Sequence, residues 1–282
     1  MIGFCAYSAR GLFSHGRVPM YGCGTSSALN SEPPRSCKMS STSIPTFYNG
    51  WFCPFAQRAW LALLEKGVQF SYVEQDPYNK TPEWLAVNPR GLVPAIVHNG
   101  KAIYESPVCI EYVDEAWKTD KQLLPSDPYG RAWVRILSDH ISKKLVPSFY
   151  GILIKKEEKE REEAAQKIID GLKTLFSDFE SSVTGGPFFG GESLNMVDIM
   201  LAPFAYRFHV ILGHYRNFHI PSEGQPELVK YHQWYTALMN NETFKKTLPT
   251  DEQKLIEVYQ RYADGSASSL VGDAIRKGTS LP

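Results

Sequence analysis

Apolar and polar residues alternate in one way up to about residue 118 and in another beyond it. "IPTFYNG" is a short β-prone run that stops at Gly50. "PFAQRAWLALLEKG" follows with Pro54 in a first helical turn, apolar Phe55, Ala59, Ala62 and Leu63 at helical steps, and Gly67 as its stop. "VQFSYVEQ" returns to strand character through Phe70, Tyr72 and Val73, and "TPEWLAVNPRG" holds a helical turn or two before a loop. "PAIVHNGKAIYES" predicts two strands joined by Asn99-Gly100, the dipeptide that suits a type I′ hairpin turn. "SPVCIEYVDEAW" then predicts a helix with Ser106 at its cap and Pro107 in its first turn. The order β-α-β-α-β-β-α is that of a small α/β domain. Its first β-α-β requires a parallel pair with a helical crossover, and the hairpin adds antiparallel strands.

Past "QLLPSDPYGRAW", whose prolines and glycine mark a linker, strand signals nearly vanish. Ala165, Ile168, Ile169, Leu172, Leu175, Phe176 and Phe179 recur every three or four residues, one face of a helix that "KKEEKEREE" opens in solvent. In "SLNMVDIMLAPF", Asn195 and Asp198 have the spacing of a capping box, with Leu194 and Ile199 as its hydrophobic staple. Leu228, Tyr231, Trp234 and Leu238 mark a further helix. The expected organisation is a leader over 1–43, an α/β domain over 44–120, a linker over 121–128, an all-helical domain over 129–265 and a flexible tail over 266–282.

Composition narrows the function. Thirty basic and thirty acidic side chains give a formal net charge of zero, so nothing electrostatic points to nucleic acid or an anionic membrane. No apolar run approaches the roughly 18 residues of a membrane span. Cys5, Cys23, Cys37, Cys53 and Cys109 are odd in number and irregularly spaced, without a C-x-x-C or Cys/His ligand pattern, which disfavours disulfides and structural zinc and favours a reducing compartment. His209 and His214 are five apart, off the spacing of a helical metal pair. The leader carries Arg10, Arg17, Arg35 and Lys38 against Glu32 and is rich in Ser and Gly. That composition fits a mitochondrial transit segment or a leader without an address; the expected location is otherwise cytoplasmic.

Cys53, in "WFCPFAQR", falls where the first strand gives way to the first helix. A helix start presents free N–H groups and about half a positive charge, which predicts an acidified, nucleophilic thiol. Arg58 would add positive field or form an ion pair. Ala56 stands where a dithiol protein would have its second cysteine, so any mixed disulfide at Cys53 must be resolved by an outside thiol. Cys109, between Val108 and Ile110, reads as core.

With "FCPFAQR", "NKTPEW", "NPRGLVPAI", "YESPVCIEYVDE" and "SLNMVDIMLAPF" in place, about 220 residues resemble the omega-class glutathione transferases. These have a thioredoxin-like domain, an all-helical C-terminal domain, and a catalytic cysteine where other classes have tyrosine or serine. The resemblance implies glutathione as co-substrate and no metal. It also implies thiol transfer to mixed disulfides, dehydroascorbate reduction, weak conjugation and a homodimer. It places Cys53 as nucleophile and the Phe55 backbone against the glutathione thiol. Val93 and a cis Pro94 would meet the cysteinyl backbone, and Lys80 the glycyl carboxylate, though the additional Thr81 shifts that alignment by one. Glu105 and Ser106 would hold the γ-glutamyl end; read without the resemblance they are a first-turn acid and an N-cap. Arg207 and Trp234 would line the acceptor site, with Tyr150 a further candidate there; alone, Arg207 and Trp234 read as a buried ion-pair residue and a core aromatic. The alternatives are a glutathionyl-hydroquinone reductase, which has Trp in place of Phe55, a membrane-inserting intracellular chloride-channel-like protein of the same fold, and a scaffold without catalysis.

Overall fold

A computed structural model describes residues 43–177 and 185–281. The leader, with the transit reading attached to it, and Phe179 lie outside the described residues. In the first domain β1 (Thr46–Asn49) leads into α1 (Pro54–Glu65), β2 (Ser71–Glu74) and α2 (Pro82–Val87). The hairpin β3 (Ala95–His98) and β4 (Lys101–Tyr104) and then α3 (Ser106–Ala116) complete it. The sheet order is β2-β1-β3-β4, with β1 parallel to β2 and antiparallel to β3. This is the predicted β-α-β-α-β-β-α order, a thioredoxin-like fold.

Local chemistry accounts for the boundaries. Asn99 and Gly100 both have positive φ, 52° and 71°, as a type I′ turn demands. Thr81, the residue that disturbs the alignment, is the N-cap of α2, and its side chain accepts from the Trp84 N–H. At α3 the expected cap is displaced by one residue. Ser106 is the first helical residue and Glu105 the N-cap, with φ at 72° and no side-chain cap bond. Behind the sheet Phe47, Ile96, Ala59, Ala62, Leu63, Cys109, Ile110 and Val113 are buried together. Cys109 is therefore core, and burial pushes its thiol up.

The linker is anchored rather than loose. Leu123 and Leu124 are buried, the Leu123 N–H donates to Asp114, and the Leu123 carbonyl accepts from Met196. The second domain is all-helical among the described residues. It opens with α4 (Pro128–His140), which passes through one π-turn (Ile141–Leu145) directly into α5 (Val146–Ile154). Pro147 supplies the reason: it has no N–H for the previous turn, and the Val146 N–H reaches back five residues to Ile141 instead. Next come α6 (Glu158–Ser177) and α7 (Met196–Arg207), which continues through a second π-turn (Phe208–Leu212) into α8 (Gly213–Arg216). The last four are α9 (Val229–Asn240), α10 (Glu242–Lys245), α11 (Glu252–Ala263) and α12 (Leu270–Lys277).

α7 starts with the full capping box: Asn195 accepts from the backbone of Val197 and Asp198, and Asp198 accepts from Asn195 N–H. Leu194 and Ile199 are both buried beside it. The 21 residues Met196–Arg216 are long and apolar enough to cross a membrane by length and composition, which corrects the expectation that no apolar run approaches that length. The most apolar window is 83% buried inside this domain, as befits its central helix. The segment expected as a flexible tail contains α12. Ser269 caps α12, and Ala267, Ala274 and Ile275 are buried.

Candidate active site

β1 ends at a turn in which the Cys53 N–H donates to the Gly50 carbonyl at 2.8 Å. A Cβ at Gly50 would lie 3.2 Å from Val93 Cγ2, a tight contact that Val93 would have to give way to. Cys53 is the N-cap of α1 with extended backbone (φ −80°, ψ 119°), and Pro54 is the first helical residue. The thiol therefore stands at the helix start, as expected, and is partly exposed on the wall of a cavity of about 310 Å³.

The cavity has two kinds of wall. The side from the first domain includes Phe55, Lys80, Val93, Pro94, Glu105 and Ser106 with Cys53. The Val93-Pro94 bond is cis, and the Val93 carbonyl is 4.0 Å from Cys53 Sγ. Glu105 pairs with Arg90 at 2.8 Å, and Lys80 Nζ donates to the Arg90 carbonyl at 3.1 Å. Ser106 Oγ accepts from Arg58, which leaves its own hydrogen to donate at the start of α3. Seven residues expected at the first-domain half of the site are thus brought together. The opposite side comes from the helical domain: Tyr150 on α5, Tyr259 and Tyr262 on α11, and Ser268–Val271 with Asp273 around the start of α12.

Two buried arginines join the domains behind the thiol. Arg58 Nε and Nη2 donate to the Met200 carbonyl on α7 at 3.0 and 2.8 Å, and its guanidinium lies over the Phe55 and Phe204 rings. It has no carboxylate partner among the described residues. Burial pulls it down to about 9, so it keeps its charge at neutral pH. Arg207 donates to the Phe52 carbonyl, Gln57, Pro203 and the Tyr259 hydroxyl. It sits behind the cavity and forms none of its wall, which corrects the expected acceptor-site position.

Trp234 requires the same correction. It is 1% exposed among Phe176 and Tyr231, and its Nε1 donates to Asp198 at 2.8 Å. It belongs to the core under α7. Residues passed over by the sequence reading are Tyr259, Tyr262, Tyr78 and the α12 start. The helical spacing of Tyr259 and Tyr262 was legible, but nothing local shows which helix turns toward a cysteine 200 residues earlier.

The thiol itself behaves otherwise than its position alone predicts. The amides of Phe55 and Ala56, together with Arg207 and Arg58, all favour the thiolate. Burial opposes them and is the larger effect, so Cys53 is held above the ordinary thiol value. Among the described residues no group of His, Cys, Asp and Glu gathers as metal ligands.

Residues 52–116 match the family model "Glutathione S-transferase, N-terminal domain", and residues 158–237 match "Glutathione S-transferase, C-terminal domain". Glutathione S-transferase U19 of Arabidopsis thaliana is 38% identical over 208 residues, 73% of this chain and 90% of that protein. Glutathione transferase Omega 3C of Trametes versicolor is 36% identical, with a TM-score of 0.70 over 80% of this chain and 93% of that one. The Tau class glutathione S-transferase MiGSTU of mango, Mangifera indica, is 26% identical, with a TM-score of 0.70 over 78% and 99%.

Proposed function

The chain belongs to the glutathione S-transferase family, and from that premise we propose that it is a cysteine-type, omega-like thiol transferase with Cys53 as its nucleophile. The observation that carries the reading is a cysteine, not a serine or tyrosine, at the N-cap of α1 and on the cavity wall. Relatives of both the tau and the omega class resemble the chain, so likeness alone does not choose between them. The cysteine at the helix start supports the omega reading. A serine hydroxyl can activate a glutathione thiol but cannot form a disulfide with it.

Glutathione would lie along the first-domain wall. The Val93 backbone meets its cysteinyl unit, Glu105 its ammonium, and the Ser106 hydroxyl with the α3 amides its γ-glutamyl carboxylate. Lys80, free to swing from the Arg90 carbonyl, meets the glycyl end. In disulfide exchange the Cys53 thiolate attacks the glutathionyl sulfur of a mixed disulfide, and the other sulfur leaves as a thiolate. A second glutathione then attacks the Cys53–glutathione disulfide and releases oxidised glutathione. The same enzyme reduces dehydroascorbate and conjugates weakly. Cys53→Ser abolishes turnover of 2-hydroxyethyl disulfide with glutathione; retention of full activity defeats the assignment.

The reading includes a homodimer. α4 leaves Tyr129, Trp133 and Ile136 exposed at helical spacing, and Val108 of α3 is exposed as well. The Arg135–Glu111 and Arg131–Glu115 pairs tie these two helices together.

A further inference from the structure

Tyr150 is the cavity residue that the disulfide mechanism leaves without work. It is 3% exposed and forms part of the cavity wall, yet its hydroxyl has no hydrogen-bond partner among the described residues. A hydroxyl on a cavity wall that is bonded to no protein group keeps its hydrogen free to donate to a ligand there. The ring is held firmly: Phe149, Phe204 and Tyr262 pack around it at centroid distances of 4.8, 6.4 and 5.8 Å. The hydroxyl lies within electrostatic reach of Cys53, Arg58 and Arg207. Nearby, the Tyr259 hydroxyl accepts from Arg207 Nε at 2.9 Å, which leaves its own hydrogen to donate.

A disulfide sulfur makes poor use of such donors, whereas an oxygen that gains negative charge makes good use of them. We propose that Tyr150, supported by Tyr259, is a catalytic hydrogen-bond donor to the carbonyl oxygen of a vicinal dicarbonyl acceptor attacked by Cys53. The inference rests on Cys53 as nucleophile and on dehydroascorbate as an acceptor, and adds the residue that serves that acceptor. Burial keeps the Tyr150 hydroxyl protonated far above neutral pH, so it donates without losing its proton.

The chemistry balances with glutathione as sole reductant. The Cys53 thiolate adds to the carbonyl carbon, a C–S bond forms, and the carbonyl π pair moves to oxygen under the Tyr150 hydrogen bond. That oxygen takes the proton of an incoming glutathione thiol, whose sulfur then attacks Cys53 Sγ. An S–S bond forms, the C–S bond breaks, and its electron pair stays with the carbon fragment. The fragment leaves as an ene-diolate and takes a proton from water. A second glutathione, as thiolate, frees Cys53 by attacking the mixed disulfide. Two thiols are oxidised to one disulfide, and one dicarbonyl is reduced by two electrons.

Tyr150→Phe tests this cleanly, because the oxygen removed is bonded by no described protein group and the ring packing stays. The melting temperature should be unchanged, which establishes that the variant is folded. With glutathione, kcat/KM for dehydroascorbate should fall about a hundredfold, the cost of one lost oxyanion donor. For 2-hydroxyethyl disulfide it should fall no more than a few-fold. Equal losses on both substrates, or no loss on dehydroascorbate, overturn the role of Tyr150. Failure of the Cys53 reading shows differently, as turnover of both substrates by Cys53→Ser.

Discussion

Cys53 feels two opposed fields. Two amides of the α1 start and two guanidinium groups stabilise its anion, and the low-polarity wall around it stabilises the neutral thiol. The wall prevails. Alkylation by iodoacetamide should therefore rise with pH through a midpoint above about 8.5, the value of a free cysteine. A midpoint below neutrality would refute this balance. Catalysis is compatible with a raised value, because a more basic thiolate is a stronger nucleophile with a Brønsted slope of about 0.4–0.5, which partly offsets its smaller population. Lys80 and Glu105 show a second residue-scale feature: each already holds a partner at Arg90, which the proposed glutathione contacts would have to replace.

At the scale of elements, the start of α7 bears most on the helical domain. Asp198 Oδ1 accepts from the Phe189 N–H and Trp234 Nε1, and Oδ2 accepts from the Asn195 N–H. Asp198→Ala leaves three buried donors without an acceptor, so stability should fall by about 3 kcal/mol or more, a drop of roughly 6–12 °C in Tm. A loss under about 1 kcal/mol would show that the box is ornamental. Burial raises this carboxyl to about 6. The folded state thus binds its proton more tightly than the unfolded state, and this group's contribution to stability declines as pH rises from about 4 toward 6. The π-turn before Pro147 leads into α5, which carries Tyr150 on the cavity wall.

For the whole molecule, the active site exists only because two domains close on each other. Arg58 bonds the Met200 carbonyl and Arg207 bonds the Phe52 carbonyl, so each domain's arginine holds the other's backbone. Tyr78 and Tyr262 meet hydroxyl to hydroxyl at 2.9 Å across the same junction, with Arg261 4.1 Å over the Tyr78 ring. The apolar stripe of α4 extends the reasoning to a second copy. Trp133→Glu puts a charge at its centre and should convert a dimer to monomer by analytical ultracentrifugation; a variant that stays dimeric, or a parent that is monomeric, removes this face from the interface.

Local pattern determined a good deal. The Asn99-Gly100 turn, Pro54 and Pro107 in first turns and the Asn195/Asp198 box are decided within a few residues, so they were legible without the fold. The helix-start position of Cys53 was legible from local pattern too, whereas the residues from Lys80 to Ser106 that line its cavity were singled out by the family resemblance. The cap of α3 was misplaced by one because the Glu105 backbone adopts a positive φ that glycine and asparagine usually occupy. What only tertiary structure decided depends on contacts distant in sequence. The resemblance assigns Arg207 and Trp234 to the acceptor site, but packing turns Arg207 into the junction between the domains and Trp234 into the helical core. The tail became α12 because its apolar face finds a surface to cover. The acidity of Cys53 was decided in the same way: a helix start is a local property, but burial is set by every chain segment that gathers around the sulfur.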